Sequence, residues 1–227
     1  MIAREFFPLD ARADLPKVPA CRDCNNWKSQ LEHYVLAVLP MGGLHPGASA
    51  AIIDQVGPRL EKNAALKRAL FVGHRDRAIM SPDGYWQAGL SVPFEAEKLA
   101  TLACYIALGL AWHHWGLQIA PAALANARSF TTVGTRSFEE MLSTLDAANR
   151  IARNWGNGVL EYRGLYSRTN PKVTLWQMAF FGGVELVDSD KPGETSRTLF
   201  VATSDNPDWI ATRGARRAND RAPIGLG

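Results

Sequence analysis

The apolar positions of this 227-residue chain run first at helical spacing and then, beyond Gly158, at strand spacing. Leu31, Val35 and Leu39 form one stripe, which predicts a helix over Lys28–Leu39 stopped by Pro40 and Gly42-Gly43. Ala48–Val56 and Arg59–Phe71 read as two further helices separated by Gly57-Pro58. Gly84 to Val92 alternates weakly, as a strand does. Pro93 then opens a long helix, with Glu95 and Glu97 in its first turn, where the helix dipole favours acids. Ser137-x-x-Glu140 has capping-box spacing, and Phe138, Met141, Leu142, Leu145, Ala148 and Ile151 carry a helical pattern on to Trp155. Asn154 and Gly156–Gly158 end that helix. Three alternating segments follow: Val159–Arg168, Val173–Val187 with a bend at Gly182-Gly183, and Arg197–Thr203, joined by polar turns at Thr169–Lys172 and Asp188–Ser196. The predicted class is α+β, a helical first part followed by an antiparallel β-meander packed on the long helix.

The Gly/Pro-rich loop Met41–Pro46 divides a small module, residues 1–46, from a larger α+β body, residues 47–212. Residues 213–227 carry Arg213, Arg216, Arg217 and Arg221 with little apolar content and read as a disordered basic tail. At 47% hydrophobic the chain has enough apolar side chain for a proper core. Leu99 to Ala127 contains no Asp, Glu, Lys or Arg, a length that would allow a membrane span. Its alanines, His113, His114 and Pro121 favour a packed core helix instead, so no membrane partner is expected. Cys104 reads as a small core residue there. The adjacent His113 and His114 point about 100° apart on a helix and do not chelate one metal comfortably.

The net charge is only +3, so nucleic-acid affinity requires local patches. One such patch is Arg59, Lys62, Lys67 and Arg68 around Leu60, Leu66 and Leu70, followed by Arg75-Asp76-Arg77. The simpler reading of that patch is a solvated helix face. Three cysteines argue for a reducing, cytoplasmic setting and against a disulfide framework, and Met1–Asp10 lacks a signal-peptide core. No phosphate-loop glycine pattern and no H-E-x-x-H occurs, and the lone serines support no triad.

The most specific stretch is Val18-Pro-Ala-Cys21-Arg-Asp-Cys24-Asn25-Asn26-Trp-Lys28-Ser-Gln-Leu-Glu32. Cys21-x-x-Cys24 presents two thiolates on one turn, half of a tetrahedral zinc site. The run resembles the second half of an HNH-family (ββα-metal) endonuclease module, V-P-x-C-x-x-C-N-x-x-K-S-x-L-E. The resemblance covers about the first 45 residues. It implies a catalytic divalent metal (Mg²⁺, Mn²⁺ or Zn²⁺) on Asn25, a structural zinc on Cys21 and Cys24, and DNA or RNA as partner. It also implies an orienting or metal-binding role for Asp14. Phosphate contacts are expected from Arg22 and Lys28 at the turn and from the basic strip Arg59, Lys62, Lys67 and Arg68 beside it. Two features of the family pattern are missing. No second C-x-x-C precedes the first, which leaves zinc half-liganded and weakly held, the rest of the tetrahedron falling to water or to His33 and His45. Arg4-Glu5-Phe6-Phe7-Pro8 carries phenylalanine where the family places its general-base histidine, and Glu5 is the nearest carboxylate that could substitute. If Phe6 lies across from Asn25 as that alignment implies, Phe6→His would raise cleavage; the simpler view is that this stretch is a frayed strand.

Three functions therefore compete: a metal-dependent nuclease, a nucleic-acid- or partner-binding protein that kept the turn without the chemistry, and an α+β protein binding a small molecule or protein with the turn incidental. The resemblance with its departures favours an HNH-like, nucleic-acid-interacting protein, weak or inactive as a phosphodiesterase.

Overall fold

The structure is a computed structural model and describes residues 2–43, 45–80, 83–119, 124–129, 136, 139–140, 142–143, 146–187, 195–204 and 216–217. The chain begins with two single-turn 3₁₀ segments, Arg4–Phe6 and Leu9–Ala11. Far from fraying, the first of these drives Phe6 and Phe7 into the interior, where they are only 2% and 1% exposed. Helix α1 (Arg22–Val38) starts six residues earlier than the hydrophobic stripe suggests. The Cys21 Sγ supplies the start signal: it caps the helix by accepting the Cys24 N–H at 3.1 Å. Leu31, Val35, Leu36 and Val38 form its buried face, each worth about 1.5–3 kcal/mol on burial.

Four short elements follow. Helix α2 (Pro46–Ala51) runs through a π turn (Ile52–Val56) straight into α3 (Gly57–Lys62). Gly57-Pro58 thus fails to break the chain: the π turn before it, closed by the Gly57 N–H on the Ile52 carbonyl, carries the helical backbone into the proline. The break falls at Asn63, whose Oδ1 accepts the Leu66 N–H at 3.0 Å and caps α4 (Ala64–Gly73). Strands β1 (Arg75–Met80) and β2 (Trp86–Ser91) then pair antiparallel as a separate two-stranded ribbon, with Arg75 opposite Ser91 and Met80 opposite Trp86. The basic run Arg75-Asp76-Arg77 therefore belongs to a strand.

The long helix α5 spans Ala96–Trp115 and stops at Gly116, which takes φ +65°, a left-handed conformation that glycine adopts without strain. This stop comes before Pro121, which lies outside the described residues. Among the described residues no helix is long and apolar enough to cross a membrane.

A six-stranded antiparallel sheet packs on α5. Its strands are β3 (Leu124–Ser129), β4 (Ala147–Trp155), β5 (Leu160–Ser167), β6 (Thr174–Phe180), β9 (Leu199–Ser204) and β10 (Arg216–Arg217), in the order β10-β3-β9-β6-β5-β4. A separate pair, β7 (Leu186–Val187) and β8 (Thr195–Ser196), follows the turn at Phe181–Gly183. The three strands expected from alternation correspond to β5, β6 and β9, adjacent in the sheet, and the expected bend at Gly182-Gly183 is this turn. The expected tail lies outside the described residues except Arg216–Arg217, which pair with Leu124–Ala125.

One expectation is overturned. The helix predicted through Trp155 gives way to β4 from Ala147 onward. The residues read as a helix stop, Gly156-Asn157-Gly158, all have positive φ (63°, 50° and 104°) and reverse the chain as a hairpin turn. The Gly158 N–H bonded to Asn154 Oδ1 at 2.6 Å tightens the reversal. Ala147–Trp155 must then run back along β5, and sheet pairing outweighs a helical pattern that also satisfies alternation at Ile151, Arg153 and Trp155. A register shift between Ala148 and Ile151, with Asn149 at φ 47°, absorbs the mismatch as a bulge. The positions of Ser137 and Phe138 lie outside the described residues.

The core joins both ends of the chain. Leu102, Ile106 and Leu110 of α5 meet Tyr162, Trp176 and Val201 of the sheet, and Phe6, Leu31 and Val35 belong to the same apolar cluster. Trp176 is wholly buried, yet its indole N–H donates to Thr174 Oγ1 at 2.8 Å. Thr174 and Thr203 hydroxyls meet at 2.7 Å, and Thr203 donates onward to the Lys172 carbonyl at 2.9 Å, so the indole N–H and both threonine hydroxyls are satisfied. Gly164 sits opposite Trp176 on β5, and a side chain there would strike the indole.

Candidate nucleic-acid interface

The Cys21–Asn26 stretch opens α1 on the molecular surface. Cys21, Arg22, Asp23, Asn25 and Asn26 are exposed and Cys24 is half-buried. Hydrogen bonds from Cys24, side chain first and then backbone, lower the Cys21 thiol from its usual range. All three cysteines and all five histidines lie among the described residues. No three side chains of His, Cys, Asp and Glu come together there. Neither expected supplementary donor joins the pair. His33 Nδ1 lies 2.7 Å from Arg59 Nη1, and His45 Nδ1 accepts the Gly47 N–H at 2.9 Å. A closed zinc site needs four such ligands, and the described donors do not fit one at Cys21 and Cys24.

The position given to the general base fares no better. Phe6 stacks on Phe181 of the β6–β7 turn, with centroids 6.3 Å apart and planes 22° apart. It is a core ring, not a group facing an open turn. Glu5 and Asp14 are exposed.

The expected phosphate contacts separate into two sets. Lys28 is 2.6 Å from Glu32 Oε2, with both side chains largely buried, which commits that ammonium to the interior of α1. Arg59 is held at His33. The helix rise of 1.5 Å per residue puts Arg22 roughly 16 Å along α1 from His33, so Arg22 is not part of the α3–α4 strip. Lys62, Lys67 and Arg68 remain exposed on the outer side of α3 and α4, and with Arg75 none forms an ion pair among the described residues. Leu60, Leu66 and Leu70 turn inward against Ala37 and Val38 of α1. From Arg59 to Arg77 six lysines and arginines face two acids, Glu61 and Asp76. That segment has an excess of four positive charges, more than the +3 of the whole chain.

The sequence reading did not single out the aromatic groups beside this strip. Tyr85 is 75% exposed and Trp86 68%, at the turn end of the ribbon. The available signal was an aromatic pair directly after Gly84, at the start of a weakly alternating strand.

The histidine pair at the end of α5 is structural. His114 Nε2 and Tyr162 Oη lie 2.7 Å apart, and the rings of Trp155 and Trp176 pack around Tyr162. Burial first, then His113 and Arg153, push the His114 pKa down to about 4, and burial raises that of Tyr162. A neutral imidazole and a neutral phenol are what such a layer holds at neutral pH.

Comparison with known proteins gave no match: no family model, no curated protein and no solved structure is significantly similar to this chain.

Proposed function

We propose that this chain is a nucleic-acid-binding protein that carries an HNH-like turn without phosphodiesterase chemistry. The observation that supports this most is the concentration of charge: four excess positive charges between Arg59 and Arg77, with Lys62, Lys67, Arg68 and Arg75 exposed and outside any ion pair among the described residues. Such groups release counterions from a phosphate backbone, which gives affinity without base specificity. Catalysis is set aside because a nuclease of the HNH kind needs a base facing its metal turn. Phe6 is buried against Phe181, and the donors around Cys21 and Cys24 do not assemble a metal cage.

Binding measured by fluorescence anisotropy across a salt series tests this. Each phosphate contact contributes about 0.7–0.9 to the log–log salt slope. Charge reversal at Lys62, Lys67 and Arg68 should flatten the slope by about two to three and weaken binding to all sequences alike. Binding absent at low salt, or indifferent to the three reversals, would refute the proposal. Robust cleavage with Mg²⁺, Mn²⁺ or Zn²⁺ that Asn25→Ala abolishes would restore the nuclease, with Glu5 as the first candidate base.

A second reading rests on a groove of about 280 Å³ on the sheet. Leu142, Leu165 and Leu175 supply apolar lining and Arg150, Arg163 and Gln177 supply polar groups. It suits a small amphipathic anion. Arg163 is already engaged by Glu139 at 2.6 Å and by Gln177, which makes this the weaker case.

A further inference from the structure

The Cys21-x-x-Cys24 turn carries chemistry that the nucleic-acid reading leaves unused. Cys21 stands just outside α1 as its cap, and Cys24 lies in the first turn. Residues three apart across a helix start have Cα atoms about 5–6 Å apart, inside the roughly 4.4–6.8 Å that a disulfide spans. The two side chains already meet. The Cys24 thiol hydrogen-bonds the Cys21 sulfur, and the Cys24 N–H donates to the same sulfur at 3.1 Å. Both cysteines are free thiols. Among the described residues no further His, Cys, Asp or Glu gathers with them into a metal-holding group.

The two sulfurs differ in access. Cys21 is exposed and Cys24 half-buried. Pro19 and Ala20 before the pair, and Asn25 and Asn26 after it, are exposed as well, so an incoming molecule can reach Cys21. The turn nevertheless sits on a fixed base, since Trp27, Leu31 and Val35 of the same helix join the main core cluster. An N–H donated to sulfur at a helix start also steadies the anion that attacks disulfides. A link across so few residues restrains the unfolded chain less than a long-range bridge does. Helix α1 is capped and packed with both thiols free, so a bond between them is not needed as a staple.

We propose that Cys21 and Cys24 form a dithiol–disulfide exchange site, with Cys21 as the attacking sulfur and Cys24 as the resolving one. The co-reactant is an accessible disulfide, R–S–S–R. Cys21, as thiolate, attacks one sulfur of that bond; a Cys21–S–S–R bond forms, the R–S–S–R bond breaks, and the first R–S⁻ leaves. Cys24 then gives up its proton and attacks the Cys21 sulfur. The Cys21–Cys24 bond forms and the second R–S⁻ leaves. The pair has lost two electrons and two protons, and the co-reactant has gained both as two R–SH. The reverse sequence reduces the pair at the expense of a thiol. This site holds whether or not the chain binds nucleic acid, because it shares no residue with the α3–α4 strip.

The test uses the full chain, reduced, in buffers of oxidised and reduced glutathione, with acid quenching, maleimide alkylation and peptide mass mapping. The parent should convert to a Cys21–Cys24 disulfide and leave Cys104 open to alkylation. Cys24→Ser should stop at the first step and accumulate glutathione on Cys21. Cys21→Ser keeps an oxygen at the helix cap, and its half-buried Cys24 should react with oxidised glutathione about tenfold more slowly than Cys21 does in Cys24→Ser. Circular dichroism checks that both variants are folded. A parent that stays fully reduced, or that carries glutathione on Cys21 without closing the bond, overturns the proposal. So does a disulfide-linked dimer through Cys21, or a bond from Cys21 to Cys104. Zinc bound at one per chain that blocks the oxidation overturns it too, and assigns the pair to metal.

Discussion

Phe6→His decides between two incompatible views of the N-terminus. If the HNH alignment fixes the geometry, the new imidazole faces the turn at Asn25, and cleavage should rise. The packing says otherwise. Phe6 is 2% exposed and stacks on Phe181. Withdrawing a phenylalanine from a core forfeits much of the roughly 1.5–3 kcal/mol gained by burying it. A ring pair of this kind is worth about 0.5–1.5 kcal/mol more. The imidazole brings two nitrogens into an apolar site, and a buried polar atom left without a partner costs about 1–3 kcal/mol. Imidazole recovers part of the ring contact, so the sum is not taken in full, and a net loss of about 2–4 kcal/mol is expected. For a protein with typical stability of about 5–15 kcal/mol, that is a large fraction. Urea denaturation followed by tryptophan fluorescence should show a clearly lower midpoint at an unchanged slope, and nuclease assays with Mg²⁺ or Mn²⁺ should show no gain. An unchanged midpoint together with new, Asn25-dependent cleavage would refute the packing argument and place residue 6 in an active site.

Other perturbations follow from the same structure. Acidification should destabilise the fold through His114: its folded pKa of about 4 lies below the unfolded value near 6.5, so the unfolded state binds more protons in that window and stability falls as pH drops through it. A fully sequestered ring would contribute about 3 kcal/mol; partial exposure reduces this to about 1 kcal/mol, and thermal melts of His114→Gln should lose that part of the pH slope. Lys28→Ala leaves the Glu32 carboxylate buried without its cation, with Oε1 having no hydrogen-bond partner even in the parent, and should cost about 3–5 kcal/mol in urea titrations, whereas Lys28→Met with Glu32→Leu should recover most of it. Gly164→Ala drives a methyl into the Trp176 indole and should cost about 1–3 kcal/mol, read as a lower melting temperature. Asn63→Ala removes the α4 cap and should cost about 0.5–2 kcal/mol in the same melts.

Local sequence determined those elements whose partners lie within them or next along the chain. The α1 stripe of Leu31 and Val35, the acids at the start of α5 and the alternation of β5, β6 and β9 are local period and capping effects, visible without the rest of the chain. The α+β class follows from that order. The α4 strip and its charge are equally legible, since like charges on an outer helix face need no tertiary partner. Tertiary structure decided the rest. Ala147–Trp155 satisfies both a helical and a strand pattern, and only the reversal at Gly156–Gly158 with the waiting edge of β5 selects the strand. Whether Lys28 is a phosphate ligand or half of a buried pair depends on what covers α1, not on its neighbours in sequence. Phe6 reads as a site position from its neighbours and is a core residue because Phe181, 175 positions away, comes to meet it. Exposure of Tyr85 and Trp86 likewise follows from what the rest of the chain does or does not pack over the ribbon, which no local pattern encodes. Burial is a property of the assembled chain, and the same side chain is a contact for solvent, ligand or core according to which distant segment folding brings against it.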